Sequence, residues 1–210
     1  AAKNADASIY PASMTKVMTA LLVLEANPDL DTPVTLPEDI FPELRAEGAS
    51  MAGFLPGETA TARDLLYGAL LPSGAECCET LAREVSGSEE AFVASMNQKA
   101  AALGMASTHF CNPTGLHDPE HVSTARDMAV LLRAAMQNEM FRTIFATARY
   151  TVPPTNLHPD GFTMESTFWS ELDGTELRRG KFLGGKTGYT RAAGLCLASA
   201  AEVKGKTYLM

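Results

Sequence analysis

The sequence predicts an α+β fold in which an antiparallel sheet packs against a cluster of helices. Helical periodicity dominates residues 13–146, whereas short strand-like runs separated by Pro, Gly and Asp turns dominate residues 147–210. The chain has 210 residues, of which 46% are hydrophobic and 20% charged, so it can bury a substantial core. We therefore expect a single domain over 1–210, with residues 1–12 and 147–210 forming the sheet part.

The first predicted helix covers residues 14–27 and is apolar on nearly every side. A helix without a polar face is a buried helix. Ser13 stands at its start, where serine is a favoured N-cap. Residues 28–60 are rich in Pro, Gly and acidic residues, and they are interpreted as loops and short strands.

Later elements follow from periodicity and from their start and stop signals. Ser88 and Thr124 are predicted caps, Asp127 makes an acidic capping box with Thr124, and Pro72 and Gly104 are predicted stops. Helices are predicted over 62–71, 75–85, 89–103, 124–136 and 138–146. Strands are predicted over 149–152, 162–165, 181–185, 194–200 and 207–210.

Charge and hydropathy exclude some classes of function. The net charge is −8 and no Lys/Arg cluster is present, which argues against a nucleic-acid partner. No run reaches the roughly 18 apolar residues that a membrane-spanning helix needs. The chain as given contains no signal peptide, so its composition does not state its compartment.

The four cysteines, at positions 77, 78, 111 and 196, fit no zinc-binding spacing. Cys77 and Cys78 are neighbours in a predicted helix, so their side chains point about 100° apart. We expect buried thiols that behave as small apolar residues. The alternative is a disulfide that joins Cys77 or Cys78 to Cys111.

Ser13 and Lys16 are three residues apart and share one face of a helix. A serine hydroxyl becomes a good nucleophile when a base removes its proton, and a lysine amine can do so if it is uncharged. The alternative is a helix cap followed by a solvated lysine. The apolar surroundings of Lys16 favour the catalytic interpretation, because a buried charge without a purpose or a partner is costly.

Lys186, Thr187 and Gly188 follow a strand-like run. A lysine beside a threonine hydroxyl forms a cationic ledge that suits a carboxylate. Gly188 leaves the strand surface bare, and the backbone N–H of Tyr189 could form an oxyanion hole with the N–H of Ser13. The alternative is an edge strand with an ordinary exposed lysine.

Ser73 precedes a predicted helix and is followed by Gly74 and Ala75. Its simplest role is an N-cap. Its functional role would be a second hydroxyl that relays a proton between Lys16 and a leaving group.

These motifs lie in the order found in penicillin-binding proteins and class A β-lactamases. Taken together, the chain resembles the low-molecular-mass penicillin-binding proteins that are serine-type D-alanyl-D-alanine carboxypeptidases. The resemblance rests on Pro11-Ala12-Ser13-Met14-Thr15-Lys16-Val17-Met18-Thr19-Ala20, Leu70-Leu71-Pro72-Ser73-Gly74, Thr108-His109-Phe110, Asn112-Pro113-Thr114-Gly115-Leu116, His121, Ser123-Thr124-Ala125-Arg126-Asp127-Met128-Ala129 and Gly185-Lys186-Thr187-Gly188-Tyr189-Thr190.

The resemblance implies a β-lactamase/transpeptidase-like fold with a five-stranded antiparallel sheet. It implies removal of the terminal D-Ala from peptidoglycan stem peptides through an acyl-enzyme on Ser13, and covalent inhibition by β-lactams. Lys16 would be the general base, Ser73 the proton relay, and Lys186 with Thr187 the carboxylate ledge. It further implies no metal or organic cofactor, a location outside the cytoplasmic membrane, and membrane contact only through segments absent from this chain.

The sequence departs from the family pattern in three respects. Ala75 stands where the family usually has Asn, only twelve residues precede Ser13, and the chain stops in an apolar strand-like run. We therefore expect a catalytic domain that lacks terminal strands at both ends of this fragment.

Three alternatives remain open from the sequence. His117 and His121 are four residues apart, which is a spacing of zinc peptidases, although Gly115 and Pro119 predict a loop there. The chain could instead be a penicillin-binding-like sensor or scaffold that has lost catalysis, because Ala75 replaces the Asn of the family. A β-lactamase would need a carboxylate that activates water, and Glu43 and Glu47 are the candidates.

Overall fold

The computed structural model describes residues 3–26, 29–172, 175 and 177–210. Within these ranges the helices are α1 Lys16–Glu25, α2 Ile40–Ala46, α3 Ala62–Leu70, α4 Ala75–Ser86, α5 Glu89–Ala102, α6 Ala125–Ala135, α7 Glu139–Ala146 and α8 Thr167–Glu171, and a 3₁₀ turn covers Ala12–Thr15. The strands are β1 Ser8–Ile9, β2 Pro33–Thr35, β3 Thr59–Thr61, β4 Ser123–Thr124, β5 Arg149–Val152, β6 Phe162–Glu165, β7 Gly180–Thr190, β8 Gly194–Val203 and β9 Lys206–Leu209.

The largest sheet among the described residues has three antiparallel strands in the order β7-β8-β9. The expected five-stranded sheet was wrong for this chain. Within the described ranges, strands β5 and β6 pair only with each other and β1 pairs with β4, so residues 3–12 form no part of the main sheet. The α+β class was correct, and β7 and β8 are longer than the runs predicted from the sequence.

Helix α1 lies at the centre of the core, as its apolar sequence predicted. Val17, Met18, Ala20 and Val23 are fully buried, and the helix contacts α3, α4 and α6. It begins at Lys16 rather than at residue 14, because residues 12–15 form the tighter 3₁₀ turn. The predicted end at Asn27 lies outside the described residues.

The predicted caps at Ser88 and Thr124 are confirmed, since each side chain accepts a hydrogen bond from the backbone three residues on. The capping box at Thr124 is only half formed, because the carboxylate of Asp127 accepts from Ser107 and Thr108 instead. The short helices α2 and α8 were missed, since elements of five to seven residues leave almost no periodic signal.

No helix in the described part of the chain is long and apolar enough to cross a membrane.

Gly185 sets how closely β7 packs on the helices. A Cβ atom at this position would overlap the ring of Phe168 on α8, which is itself buried. The neighbouring Gly184 has a φ of +144°, lies at a β-bulge and packs against the backbone of Phe145. The two glycines therefore let the sheet approach α7 and α8 without side chains between them.

We expect Gly185→Ala to lower the free energy of unfolding by about 1–3 kcal/mol, because the added methyl group overpacks a filled site. Urea denaturation checks this. Thr207→Ala, on the exposed part of β9, is the matched control and should change stability by less than about 0.5 kcal/mol. Equal stability of the two variants would contradict the close packing.

Candidate active site

Ser13 lies in the 3₁₀ turn just before α1 and is partly exposed. The preceding Ala12 has a φ of +47°, a left-handed conformation that costs a non-glycine residue roughly 1–2 kcal/mol. Gly188 of β7 packs directly against this turn, since a Cβ atom there would come 3.0 Å from the Ser13 nitrogen. The strand is thus held against the backbone of Ser13, and Tyr189 follows immediately beside it.

The Lys16 amine lies between two oxygen atoms. Its Nζ is 3.1 Å from the Ser13 Oγ and 2.6 Å from the carbonyl oxygen of Thr114. Lys16 is only 2% exposed, and this burial lowers the pKa of its amine from the usual 10.5. Uncharged, the amine carries a lone pair that can accept the Ser13 proton. The structure therefore brings together the two groups that the sequence paired.

A loop over residues 111–116 presents the Thr114 carbonyl to Lys16. The Asn112 Oδ1 accepts hydrogen bonds from the backbone of Thr114 and Gly115 and from the Thr114 hydroxyl. Gly115 has a φ of +82°, and a Cβ atom there would overlap the carbonyl of Ala12. Thr114 was not assigned a role from the sequence, although its segment was among those that carry the family resemblance.

Lys186 is a residue of β7 and is 1% exposed. Its Nζ donates to the carbonyl oxygen of Thr187 at 2.8 Å, and it lines neither cavity beside Ser13. Burial and then the positive charge of Lys16 lower the pKa of Lys186 from 10.5 to about 7. Thr187 lies at the cavity wall, and the role of Lys186 in the expected carboxylate ledge stays a prediction.

Ser13 stands where two cavities meet. One, of about 570 Å³, is also lined by Lys16, Ala75 and Arg191. The other, of about 490 Å³, is lined by Ser73, Thr187 and Gly188. Ser50 and Tyr189 line both cavities. A substrate that reaches Ser13 can therefore extend in two directions from it.

Thr167 is a site residue that the sequence did not reveal. Its hydroxyl lies 2.5 Å from that of Thr187, and both residues line the second cavity. Because Thr167 lies in the short helix α8, no sequence pattern predicted that it belongs to the site.

Ser73 has a φ of +72°, and its Oγ is buried without a hydrogen-bond partner among the described residues. The expectation of an N-cap was wrong, because Gly74 occupies that position of α4 and no side chain caps the helix. A strained residue with an unpaired buried hydroxyl is typical of functional sites.

Glu76, the residue that follows Ala75, binds the backbone of a neighbouring loop. Its Oε1 accepts from the backbone N–H groups of Ala52 and Gly53 at 2.6 and 3.1 Å. It thereby anchors the loop that precedes β3 to the start of α4. Ala75 offers only a methyl group to the cavity that holds Ser13.

His121 has both ring nitrogens occupied. The Nδ1 accepts from the Cys111 N–H at 3.1 Å, so the proton is on the Nε2, which lies 2.8 Å from the Thr15 hydroxyl. Burial lowers the pKa of His121 to about 4, so the ring is neutral. Through its hydrogen bond with Thr15 the ring stabilises the turn that contains Ser13, and it is not available as a zinc ligand.

All four cysteines are free thiols, and the disulfide alternative is not what the structure contains. Cys77 and Cys78 are fully buried, as expected, whereas Cys111 and Cys196 are only partly buried.

A serine hydroxyl beside a buried amine, at the junction of two cavities, is the arrangement of a class of protein: the serine acyl-transfer enzymes that pair the serine with a lysine rather than a histidine. Comparison with known proteins agrees with this class. The sequence model of the D-alanyl-D-alanine carboxypeptidase family, peptidase S11, matches residues 1–209.

Individual relatives match along nearly the whole chain. The D-alanyl-D-alanine carboxypeptidase of Streptomyces sp. strain K15 is 35% identical, and the alignment covers 99% of this chain and 73% of that protein. The D-alanyl-D-alanine carboxypeptidase DacF of Bacillus subtilis strain 168 is 37% identical over 95% of this chain, which spans about half of that protein (50%).

Solved structures support the same family assignment. The crystal structure of the Streptomyces K15 DD-transpeptidase superposes with a TM-score of 0.90 at 32% identity, over 100% of this chain and 82% of that one. The chain belongs to the D-alanyl-D-alanine carboxypeptidase family, peptidase S11, and is a serine-type hydrolase of that family.

The burial of Lys186 predicts a pH-dependent stability. In the unfolded chain its pKa is near 10.5, and in the folded protein it is about 7. Between these values the unfolded chain binds more protons than the folded one, so this group makes the free energy of unfolding rise with pH. The slope is at most about 1.4 kcal/mol per pH unit.

Lys186→Met removes this contribution. The stability of the variant relative to wild type should therefore fall steadily as the pH is raised from 7 to 10, as measured by urea denaturation across that range. Lys181→Met, at an exposed position of the same strand, is the control, and its free energy of unfolding should change with pH as that of wild type does. Parallel curves for Lys186→Met would show that this lysine is charged in the folded protein.

Proposed function

We propose that the chain cleaves the terminal D-Ala from peptides that end in D-Ala-D-Ala, through an acyl-enzyme on Ser13. The observation that supports this most strongly is the 3.1 Å separation of the Ser13 Oγ from a buried Lys16 amine, at the point where two cavities meet. Family membership supports the choice of substrate, since the relatives carry the name D-alanyl-D-alanine carboxypeptidase.

In the acylation step, Lys16 takes the proton of Ser13 as the Oγ attacks the carbonyl carbon of the penultimate D-Ala. The N–H groups of Ser13 and Tyr189 stabilise the oxyanion that forms. The proton then passes through Ser73 to the amine of the departing D-Ala. Water attacks the ester with Lys16 again as the base, which releases the shortened peptide and restores Ser13.

The terminal carboxylate of the substrate fits the cavity that contains Thr187. The hydroxyls of Thr187 and Thr167 are the donors at its wall. The buried Lys186 amine, which donates to the Thr187 carbonyl, contributes positive charge near this wall. Because its pKa is about 7, this charge is present in only part of the molecules at neutral pH.

Residues 1–210 act in this proposal as a single catalytic domain, because the site takes Ser13 and Lys16 from the helical part and Thr187 to Tyr189 from the sheet. The substrate class implies the peptidoglycan stem peptide as partner and a site of action outside the cytoplasmic membrane. β-Lactams are the expected covalent inhibitors. No metal or organic cofactor is used in these steps.

A β-lactamase is the second candidate, and one observation favours it. Of the two carboxylates considered from the sequence, Glu47 lines the cavity with Ser13 and Lys16, whereas Glu43 lines only the neighbouring cavity. A carboxylate there could activate water against the acyl-enzyme.

Mass spectrometry after incubation with benzylpenicillin tests the acyl-enzyme directly. The wild type should gain the mass of one penicillin, and Ser13→Ala should gain none because the nucleophile is absent. Ser95→Ala, at a partly buried position of α5 that lines none of the cavities described above, should react like wild type. An adduct on Ser13→Ala would contradict the assignment, and rapid release of hydrolysed penicillin would favour the β-lactamase.

Ala75→Asn tests the departure from the family pattern. The amide would enter the cavity beside Ser13 and offer substrate a hydrogen bond worth about 1 kcal/mol, or about fivefold in kcat/KM for diacetyl-Lys-D-Ala-D-Ala. D-Ala release measures this. Ala75→Val adds volume without a donor and should not increase the rate. If the Asn variant releases D-Ala no faster, the amide has no role in this chain.

A further inference from the structure

A third cavity, of about 220 Å³, adjoins the cavity that contains Ser13 and Lys16. Glu47, Thr114, Leu116 and His117 line both of them. The two cavities therefore share a wall, and a group bound in one is next to a substrate bound in the other. None of the steps proposed above uses this third cavity.

The third cavity is strongly acidic. Five carboxylates line it: Glu43, Glu47, Glu79, Glu89 and Asp118. The one arginine at its wall, Arg83, donates to Asp39 at 2.7 Å, and its charge also acts on Glu79 and Glu89, so it offsets part of this negative charge. A cavity lined by one sign of charge favours a ligand of the opposite sign.

Glu79 is the residue in this wall that needs a partner. It is 6% exposed, and its Oε2 is buried without a hydrogen-bond partner among the described residues. Burial, and then the charge of Glu89, raise the pKa of Glu79 to about 8, so in the empty cavity this carboxyl is mostly protonated at neutral pH, and a bound cation would lower the pKa again. Leaving a buried carboxyl oxygen unpaired is costly, and a cation in the cavity would supply the missing donor.

The carboxylates of this cavity are not arranged to hold a metal ion. No group of three or more His, Cys, Asp or Glu side chains in the described ranges is placed to hold one. An organic cation, which needs one or two acceptors rather than a closed shell, fits the arrangement better.

We infer that this cavity binds the ammonium group on the side chain of the substrate residue that precedes the D-Ala-D-Ala end. The inference rests on the proposed function and adds a determinant of specificity to it. With the terminal carboxylate at Thr187, the acyl part of the peptide extends from Ser13 into the cavity lined by Ala75. Glu79 lies one turn further along the same face of α4, about 6 Å away along the helix axis.

Two peptides that differ only in this charge test the inference. Nα-acetyl-Lys-D-Ala-D-Ala keeps the ammonium group, whereas diacetyl-Lys-D-Ala-D-Ala does not. We expect the wild type to prefer the first in kcat/KM by about tenfold, the usual effect of one hydrogen bond to a charged group. In Glu79→Gln this ratio should fall to near one. The preference should survive in Glu84→Gln, at an exposed position of the same helix.

Circular dichroism establishes that each variant is folded. If Glu79→Gln does not fold, Glu89→Gln in the same wall replaces it and should also lower the ratio. Equal kcat/KM values for the two peptides in wild type, or an unchanged ratio in the folded cavity variant, would overturn the inference and leave the proposed function intact. Failure of wild type to cleave either peptide would overturn the proposed function, and the inference with it.

Discussion

The structure of this site depends on the burial of one amine. A charged ammonium group placed in the core would cost several kcal/mol unless it were fully paired. Burial lowers the pKa of the Lys16 amine, which lies 2.6 Å from the Thr114 carbonyl and 3.1 Å from the Ser13 Oγ. The apolar surroundings of Lys16 therefore favour the uncharged form of the amine, the form that can accept a proton.

Other parts of the fold hold the partners of that amine in place. The Asn112 side chain shapes the loop that carries Thr114, and His121 braces the turn that carries Ser13. Glycines at 115 and 188 allow this loop and strand β7 to reach the same turn without side chains between them. A second lysine, Lys186, lies close enough for the charge of Lys16 to lower its pKa, so the two repel each other when both are protonated.

The sequence predicted what local pattern and chemistry determine. The buried first helix, the caps at Ser88 and Thr124, the family and the pairing of Ser13 with Lys16 could all be read from residue types and their spacing. The pairing of strands could not, because register and partner choice depend on contacts far apart in the chain. Hence β5 and β6 were placed in the main sheet, although in the part of the chain that the structure describes they pair only with each other.

The same limit applies within the site. Thr167 and the acidic cavity arise from tertiary packing, and no motif marks them. Side chains alternate along β7, so Thr187 lines the cavity beside Ser13 and Lys186 lies on the opposite face of the strand, where its contact with a substrate carboxylate stays a prediction. The relay role of Ser73 and the oxyanion hole of Ser13 and Tyr189 stay predictions.

The most direct measurement of the central claim is the titration of Lys16 itself. NMR of protein labelled with ¹³C at the lysine Cε, with Lys16→Met to assign the resonance, reports the charge of this amine as a function of pH. Our account predicts a pKa clearly below the ordinary value of 10.5. A resonance that shows the Lys16 amine protonated up to that value would contradict it, because no free lone pair would then face Ser13.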